Sequence, residues 1–311
     1  MDDTTRSRIK KLAVPPAWTD VWICPWPNGH IQAIGVDAAG RRQYRYHDVW
    51  RAHRDREKFQ RALRFAESLP QLRAAVGRDL ENDELDRQRV LAAVVRLLDL
   101  GAFRIGGMEY AETNETYGLV SLLRTHVRVK GDLLCFDYPA KGSLGRAFET
   151  RDAAVASVVS ALKRRRRADR QLFAFKEGRQ WHLLRTEDVN AHIKDECGED
   201  CSAKDFRNWS ATVLAAALLS VSPAAVSERA RRRVVKDVVE QVAVQLGNTP
   251  AVCKASYIDP RVIDRYSDGA VVPSKLAERM LHDPPSSTAR EAVETAVMEL
   301  LGGAEVDALA A

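Results

Sequence analysis

Arg104 in "FRIGG", Lys141 in "PAKGS", Arg207 in "KDFRNW", Asn248 in "GNTP" and Tyr257 in "KASYIDP" offer, in chain order, three cations, an amide and a phenol. A phenol attacks well only as its phenolate, and with an ordinary pKa near about 10 it needs positive charge beside it at neutral pH. Guanidinium and ammonium groups supply such charge, the former as a planar fork of donors that matches an oxyanion. Each residue taken alone also has an ordinary reading. Arg104 could cap a helix, Lys141 decorate a hairpin, Arg207 pair with Asp205, and Tyr257 sit half-buried at a helix end. The stretch "LGNTPAVCKASYIDP" by itself leaves both readings of Tyr257 open.

Other chemistries have less to stand on. His192, Cys197 and Cys201 are spaced closely enough to approach one another, but they are three ligands without paired Cys-x-x-Cys knuckles, so no metal is expected. No Walker-type phosphate loop, no Gly-x-Gly-x-x-Gly fingerprint and no nucleophile elbow is present. The five cysteines, at 24, 135, 197, 201 and 253, are odd in number and scattered, which suits reduced thiols.

The chain of 311 residues is 45% hydrophobic and 29% charged, the composition of a globular protein long enough for two domains. It has no apolar run long enough for a membrane span, and "MDDTTRSRIKK" has no secretory h-region, so a cytoplasmic protein is expected. The net charge of +5 hides an asymmetry. Three basic and seven acidic residues lie from 273 onward, leaving +9 on residues 1–272. Residues 41–64 carry nine Arg or Lys against three acids, and 163–170 carry six against one. Solvated helix faces account for many such runs. Aromatics interleaved with arginine in "RRQYRYH" favour nucleic acid, whose phosphates and base edges or faces such side chains meet.

The elements that would hold these residues can be read from pattern. Residues 18–50 show short apolar or alternating runs separated by Pro-Asn-Gly and Ala-Gly turns, a small antiparallel sheet. A helix is expected over 49–67, then a junction through "SLPQLRAAVGRDLENDE", with the domain boundary near 86. The helix of 83–103 carries an apolar stripe at 91, 94, 95 and 98 and a Gly101 C-cap. A three-stranded meander is expected at 125–129, 133–138 and 145–149, with Lys141 in its second loop. Helices follow at 153–165, 186–195, 203–219, 224–246 and 288–301, interrupted by an extended 172–184. The fold class is α+β: a small antiparallel β-rich domain over 1–86, then a larger, mainly helical domain with a three-stranded meander over 87–311.

The ordered set changes the weighting of its members. "FRIGGMEYAETNETYGLVSLL", the lysine-bearing hairpin, "KDFRNW" and "LGNTPAVCKASY", together with "PPAWTDVWICPWPNGHIQAIGVDAAGRRQYRYH", resemble the type IB DNA topoisomerases, in particular their poxvirus-like and bacterial branch, over about residues 15–265. The resemblance implies the catalytic fold shared with tyrosine recombinases. It implies that Tyr257 attacks a DNA phosphodiester to leave a 3′-phosphotyrosyl link and a 5′-hydroxyl, that Arg104 and Arg207 hold non-bridging oxygens, and that Lys141 protonates the leaving 5′ oxygen. Supercoils of either sign would relax by strand rotation, with no ATP or metal cofactor. At Asn248 the poxvirus pattern has histidine; an asparagine amide can also donate a hydrogen bond to a phosphate oxygen, but it cannot titrate.

By the same resemblance Gln43, Tyr44 and Tyr46 are DNA contacts, with Arg41 and Arg42 near phosphates, and Tyr110 and Lys204 contact or support the cleavage site. The implied partner is double-stranded DNA, clamped by a monomer in a bacterial cytoplasm at the nucleoid. Two rivals were weighed. A tyrosine recombinase usually has histidine where this chain has Lys204, and a non-enzymatic basic DNA-binding protein would leave the five-residue set unexplained.

Overall fold

The alternation between 19 and 46 folds into an antiparallel sheet in a structure that is a computed structural model describing residues 2–101, 103–141, 144–166, 169–282 and 287–309. The elements run α1 (Asp3–Lys11), β1 (Thr19–Ile23), β2 (Ile31–Val36), β3 (Arg42–Tyr46), α2 (Asp48–Leu80), α3 (Arg87–Asp99), α4 (Met108–Asn114), β4 (Val127–Lys130), β5 (Leu133–Ala140) and β6 (Leu144–Arg151). They continue with α5 (Ala153–Lys163), β7 (Ala174–Glu177), β8 (Gln180–Leu183), α6 (Thr186–Cys197), α7 (Ala203–Val221), α8 (Glu228–Leu246), α9 (Pro250–Ser256), α10 (Pro260–Ser267), α11 (Ser274–His282) and α12 (Ser287–Leu309). This is the α+β, mostly helical architecture expected from the sequence.

The chain packs as two compact units, Met1–Gln60 and Arg61–Ala311. In the first, β2 is the central strand of the order β1-β2-β3. Arg8 of α1 fastens to it by donating to Gln32 Oε1 and to Cys24 O, each at 2.7 Å. In the second, β5 is the centre of the meander β4-β5-β6, and the extended 172–184 is the hairpin β7-β8.

The division into units falls earlier than the expected boundary near 86, and the junction read into 68–84 is mostly helix. Helix α2 continues through Pro70 to Leu80. Proline inside a helix costs roughly 3 kcal/mol. Phe65, Leu69, Leu72, Val76 and Leu80, three or four residues apart, are all buried in the core of the second unit. At roughly 1.5–3 kcal/mol for each large apolar side chain, that stripe outweighs the proline. Helix α3 packs there too, with Val90, Leu91, Val94 and Leu98 at 0–1% exposure, and Gly101 follows its end at φ +87°, as a helix-terminating glycine does.

The acidic C-terminal segment contributes to the same core through Val293, Val297 and Leu301 of α12. A buried charge cluster ties it down. Arg73 Nε and Nη2 donate to Asp99 at 2.8 and 3.0 Å, Arg73 Nη1 donates to Glu294 at 2.7 Å, and Arg290 Nε donates to Glu294 at 2.9 Å. Burial alone would lower the Arg73 guanidinium, yet its two carboxylate partners hold it above its ordinary value. Burial alone would raise Asp99, yet Arg290 and Arg73 hold it below the usual carboxylate range. A carboxylate lowered on folding stabilises above its unfolded pKa, and that contribution is lost as pH falls through the folded value. Arg73→Ala leaves two buried carboxylates sharing one cation and is expected to cost roughly 3–5 kcal/mol in urea unfolding at neutral pH, with a smaller loss at acid pH. A cost under about 1 kcal/mol would contradict this account of the cluster.

Candidate active site

The site is organised by the C-terminal end of α8. Helix ends leave carbonyls without intrahelical partners, and Gly247, at φ +61°, turns the chain there in the left-handed conformation. The Gly247 N–H donates to Val244 O at 3.1 Å and the Asn248 N–H to Ala243 O at 2.9 Å, the paired bonds of a Schellman turn. The next three carbonyls are taken by guanidinium groups from three different elements. Arg146 of β6 donates to Gln245 O at 3.0 Å, Arg207 of α7 to Leu246 O at 2.9 Å, and Arg104, between α3 and α4, to Gly247 O at 3.0 Å. Arg104 also donates to Asn248 Oδ1. The negative end of a helix dipole favours cations, so this terminus suits the gathering of three of them.

Each arginine is aimed by packing. Phe103 has no exposed surface and meets Phe136, Tyr138 and Phe148 across the meander, which fixes the residue beside it. The backbone at Gly106 crosses Gly118 so closely that a Cβ on Gly106 would lie 2.5 Å from Gly118 Cα. Leu119 N–H donates to Arg104 O at 2.8 Å across this crossing. Arg207 lies on the buried face of α7 between Phe206 and Trp209. It does not pair with Asp205, which accepts from Arg61 at 3.2 Å and from Ser202 Oγ at 2.8 Å.

Tyr257 ends α9, with its N–H donating to Cys253 O at 3.0 Å. Ile258 behind it is fully buried, and Asp259 N–H donates to Thr212 Oγ1 of α7 at 3.1 Å, so the turn is pinned on the helix that carries Arg207. The half-buried Tyr257 ring has the Arg207 guanidinium carbon 5.2 Å from its centre. Tyr257 is thus an aromatic half-buried at a helix end whose ring lies beside a guanidinium.

The electrostatics separate two phenols. Burial would raise Tyr257, but Arg207, through charge and polar contact, with Arg104 and Lys204 adding to it, brings the phenol below its ordinary value. Tyr138 feels Arg146, Arg207 and Arg104 as well, yet it is more deeply buried and its pKa is raised. Burial brings the Arg207 guanidinium down to about 10, which keeps it a cation at neutral pH. Arg207 Nε and Nη1, Arg146 Nε and Asn248 Nδ2 are buried N–H donors without a hydrogen-bond partner among the described residues. Such groups are usually satisfied, and a set of them beside cationic charge fits an oxyanion with several acceptor oxygens. Because Asn248 Oδ1 accepts from Arg104, its amide presents the NH₂ as its unpartnered group.

Among the other residues singled out by sequence, Lys141 is exposed in the turn after β5 and Lys204 is exposed on the first turn of α7. Tyr110 lies on α4, and its side chain is outside the described residues. In the first unit, Tyr44 and Tyr46 are 41% and 39% exposed on one face of β3 and stack at 6.0 Å, rather than packing inside the sheet. Gln43 Nε2 and Arg41 Nε both donate to Asp37 Oδ2, at 3.0 and 2.9 Å, and the Arg41 guanidinium above all holds that carboxyl down at about 2. Arg42 is exposed at the start of β3. Cys201 Sγ donates to Cys197 O, and burial pushes its thiol up to about 11.

Arg146 and Gly247 were not singled out from the sequence. A signal for Arg146 existed: Arg146, Phe148 and Thr150 alternate on the less exposed face of β6, where a charge requires a partner.

The chain matches the family described as "Eukaryotic DNA topoisomerase I, catalytic core" over residues 47–275 and that described as "Bacterial DNA topoisomerase IB, N-terminal domain" over residues 1–37. It is 29% identical over 284 residues to a DNA topoisomerase 1B of Acanthamoeba polyphaga mimivirus, covering 89% of this chain and 83% of that one. It is 22% identical over 151 residues to a DNA topoisomerase 1B of Vaccinia virus (strain Copenhagen), covering 47% of this chain and 48% of that one. A DNA topoisomerase 1 of Mycosarcoma maydis is 27% identical over 145 residues, 42% of this chain and 13% of that one.

The charge account of Tyr257 has a direct readout. With tyrosine labelled at Cζ and the resonance assigned through Tyr257→Phe, Tyr257 is expected to titrate at lower pH in the parent than in Arg207→Ala. In that variant burial persists while the largest lowering influence is gone. An unchanged or lower titration point in Arg207→Ala would contradict the assignment.

Proposed function

The chain belongs to the DNA topoisomerase I family, in its type IB branch, and from that membership we propose that Tyr257 is the nucleophile of a DNA transesterification. The Tyr257 Oη–P bond forms as the P–O5′ bond breaks, the phenol proton passes to solvent, and Lys141 Nζ gives a proton to the leaving 5′ oxygen. The products are a 3′-phosphotyrosyl enzyme and a free 5′-hydroxyl strand. That strand rotates about its partner and relaxes positive or negative supercoils, and the reverse reaction reseals the nick.

The observation that carries this reading is the packing of Tyr257 on Arg207, 5.2 Å from ring centre to guanidinium carbon, beside unpartnered donors of Arg207 and Asn248. The transition state carries extra negative charge on the non-bridging oxygens. Arg207 Nε and Nη1, Arg104 and Asn248 Nδ2 are the donors offered to it. Asn248 acts as a hydrogen-bond donor there, in the place where poxvirus relatives would have histidine. The phosphotyrosyl ester retains the energy of the broken phosphodiester, so resealing needs no ATP. The cations do the charge stabilisation a divalent metal performs elsewhere, so no metal is needed.

DNA binding is proposed for the residues of β3 and its approach. Gln43, Tyr44 and Tyr46 would read the major groove, with Arg41 and Arg42 on phosphates, and Tyr110 and Lys204 would support the cleavage site. The stacked, exposed Tyr44 and Tyr46 and the basic run at 41–64 support this part of the reading. We take residues 1–86 as the clamp domain and 87–311 as the catalytic domain of a monomer that works on nucleoid DNA in a bacterial cytoplasm. Its grip on DNA would weaken steeply with salt through counterion release.

Supercoiled plasmid incubated with the parent in EDTA without ATP should be relaxed. Tyr257→Phe should lower the rate by about 10³-fold or more, because the nucleophilic oxygen is removed. No relaxation by the parent would overturn the enzyme reading, and equal relaxation by Tyr257→Phe would overturn the residue assignment.

A further inference from the structure

Arg146 stands apart from the other two arginines of the cluster in what it connects. It lies on β6 five residues beyond Lys141, and its register partner on β5 is Tyr138. Two further pairs, Pro139 with Gly145 and Ala140 with Leu144, separate that position from the turn that begins at Lys141. The hydrogen bond from Arg146 Nη2 to Gln245 O, at 3.0 Å, therefore joins the turn-proximal part of the lysine hairpin to the terminus of α8, one carbonyl before those held by Arg207 and Arg104. The fit is close. A Cβ on Gly247 would lie 2.5 Å from Arg146 Nη1, so the guanidinium occupies the space that glycine alone leaves open. The Arg146 Nε is buried, and the charge of Arg104 is felt at its guanidinium. A buried cation in a cluster of like charge is unfavourable unless its contacts repay it, and here the visible repayment is the helix carbonyl.

We propose that Arg146 is a positioning residue: it latches the β5–β6 hairpin to the C-terminus of α8 and so sets where Lys141 stands relative to the phosphate held by Arg104, Arg207 and Asn248. This rests on the reading of Lys141 as the proton donor. The step it governs is the departure of the 5′ oxygen, in which the P–O5′ bond breaks and the Lys141 Nζ proton goes to O5′. The latch serves proton delivery rather than phosphate binding.

The chemistry of the leaving group separates these two roles. A 5′ alkoxide is a strong base that needs a proton donor, whereas a 5′ thiolate departs without one. The experiment uses a duplex carrying the cleavage site mapped for the parent, made with either oxygen or sulfur at the bridging 5′ position, and measures single-turnover formation of the covalent complex. Arg146→Ala should form it about 10–100-fold more slowly than the parent on the oxygen substrate, and within about 3-fold of the parent on the sulfur substrate, as should Lys141→Ala. Arg146→Lys, which keeps one donor toward Gln245 O, should fall between parent and Arg146→Ala on oxygen and match the parent on sulfur. This second variant tests the latch if Arg146→Ala folds poorly. Equal slowing on both substrates would overturn the proposal and make Arg146 a phosphate ligand or a structural residue. An undiminished oxygen rate in Arg146→Ala would also overturn it. Failure of the parent to form any covalent complex would instead remove the transesterification reading itself.

Discussion

Three guanidinium groups on the last carbonyls of α8 are the interaction on which the site depends. Like charges in a half-buried cluster repel, and each loses hydration as it is enclosed. The helix terminus answers both problems, because its unpaired carbonyls accept hydrogen bonds and its dipole places about half a negative charge nearby. Gln245, Leu246 and Gly247 each receive one arginine, from β6, α7 and the segment after α3. Elements far apart in sequence are thereby fixed around one point, and among the described residues the acceptors that hold the three arginines are neutral oxygens. A carboxylate would neutralise the cluster and compete with phosphate; neutral carbonyls orient the arginines and leave their charge in place. Arg207 Nε and Nη1, without a hydrogen-bond partner among the described residues, suit a charged oxygen, whose hydrogen bonds are roughly twice as strong as those to neutral acceptors.

The rest of the second unit reads as support for that point. Gly247 ends α8 in a conformation that directs Asn248 back toward Arg104, and Pro250 starts α9 directly afterward, so a short helix carries the chain to Tyr257. The Gly106–Gly118 crossing and the Phe103 aromatic contacts seat Arg104. The same cationic field acts on Tyr138 and Tyr257 with opposite outcomes because burial outweighs the cations at the first, while at the second Arg207, Arg104 and Lys204 together outweigh burial. A depressed phenol with an exposed edge is suited to attack; a buried, raised phenol is suited to packing. Depth as well as charge thus sets the two aromatic alcohols apart.

Much of this was legible in the sequence, for reasons that differ by element. The meander, the hairpin at 172–184 and α3 declare themselves through period-2 and period-3.6 patterns with glycine turns. The end of α2 did not, because Pro70 and Gly77 are strong local breakers, while the stripe that overrides them becomes decisive only once α3 is present to cover it. Arg104, Arg207, Asn248 and Tyr257 could be singled out as residue types in order, and the structure brings them together. Arg146 escaped because one arginine in a strand looks like surface decoration until its face is known. Its partner is a backbone carbonyl 99 residues away, which leaves no mark in side-chain chemistry. Lys141, exposed in the turn after β5, likewise has no local sequence signature beyond the hairpin itself.

The central claim is that Tyr257, and no other tyrosine, becomes covalently joined to DNA through a phosphate held by Arg104, Arg207 and Asn248. Trapping the parent on plasmid DNA by rapid denaturation, digesting both nucleic acid and protein, and sequencing the nucleotide-bearing peptides by mass spectrometry tests that claim directly. The account predicts a 3′-linked nucleotide on the phenolic oxygen of Tyr257 in the peptide containing "ASYIDPR". A nucleotide attached to Tyr138 or any other residue, or a 5′-linked adduct at Tyr257, would contradict it.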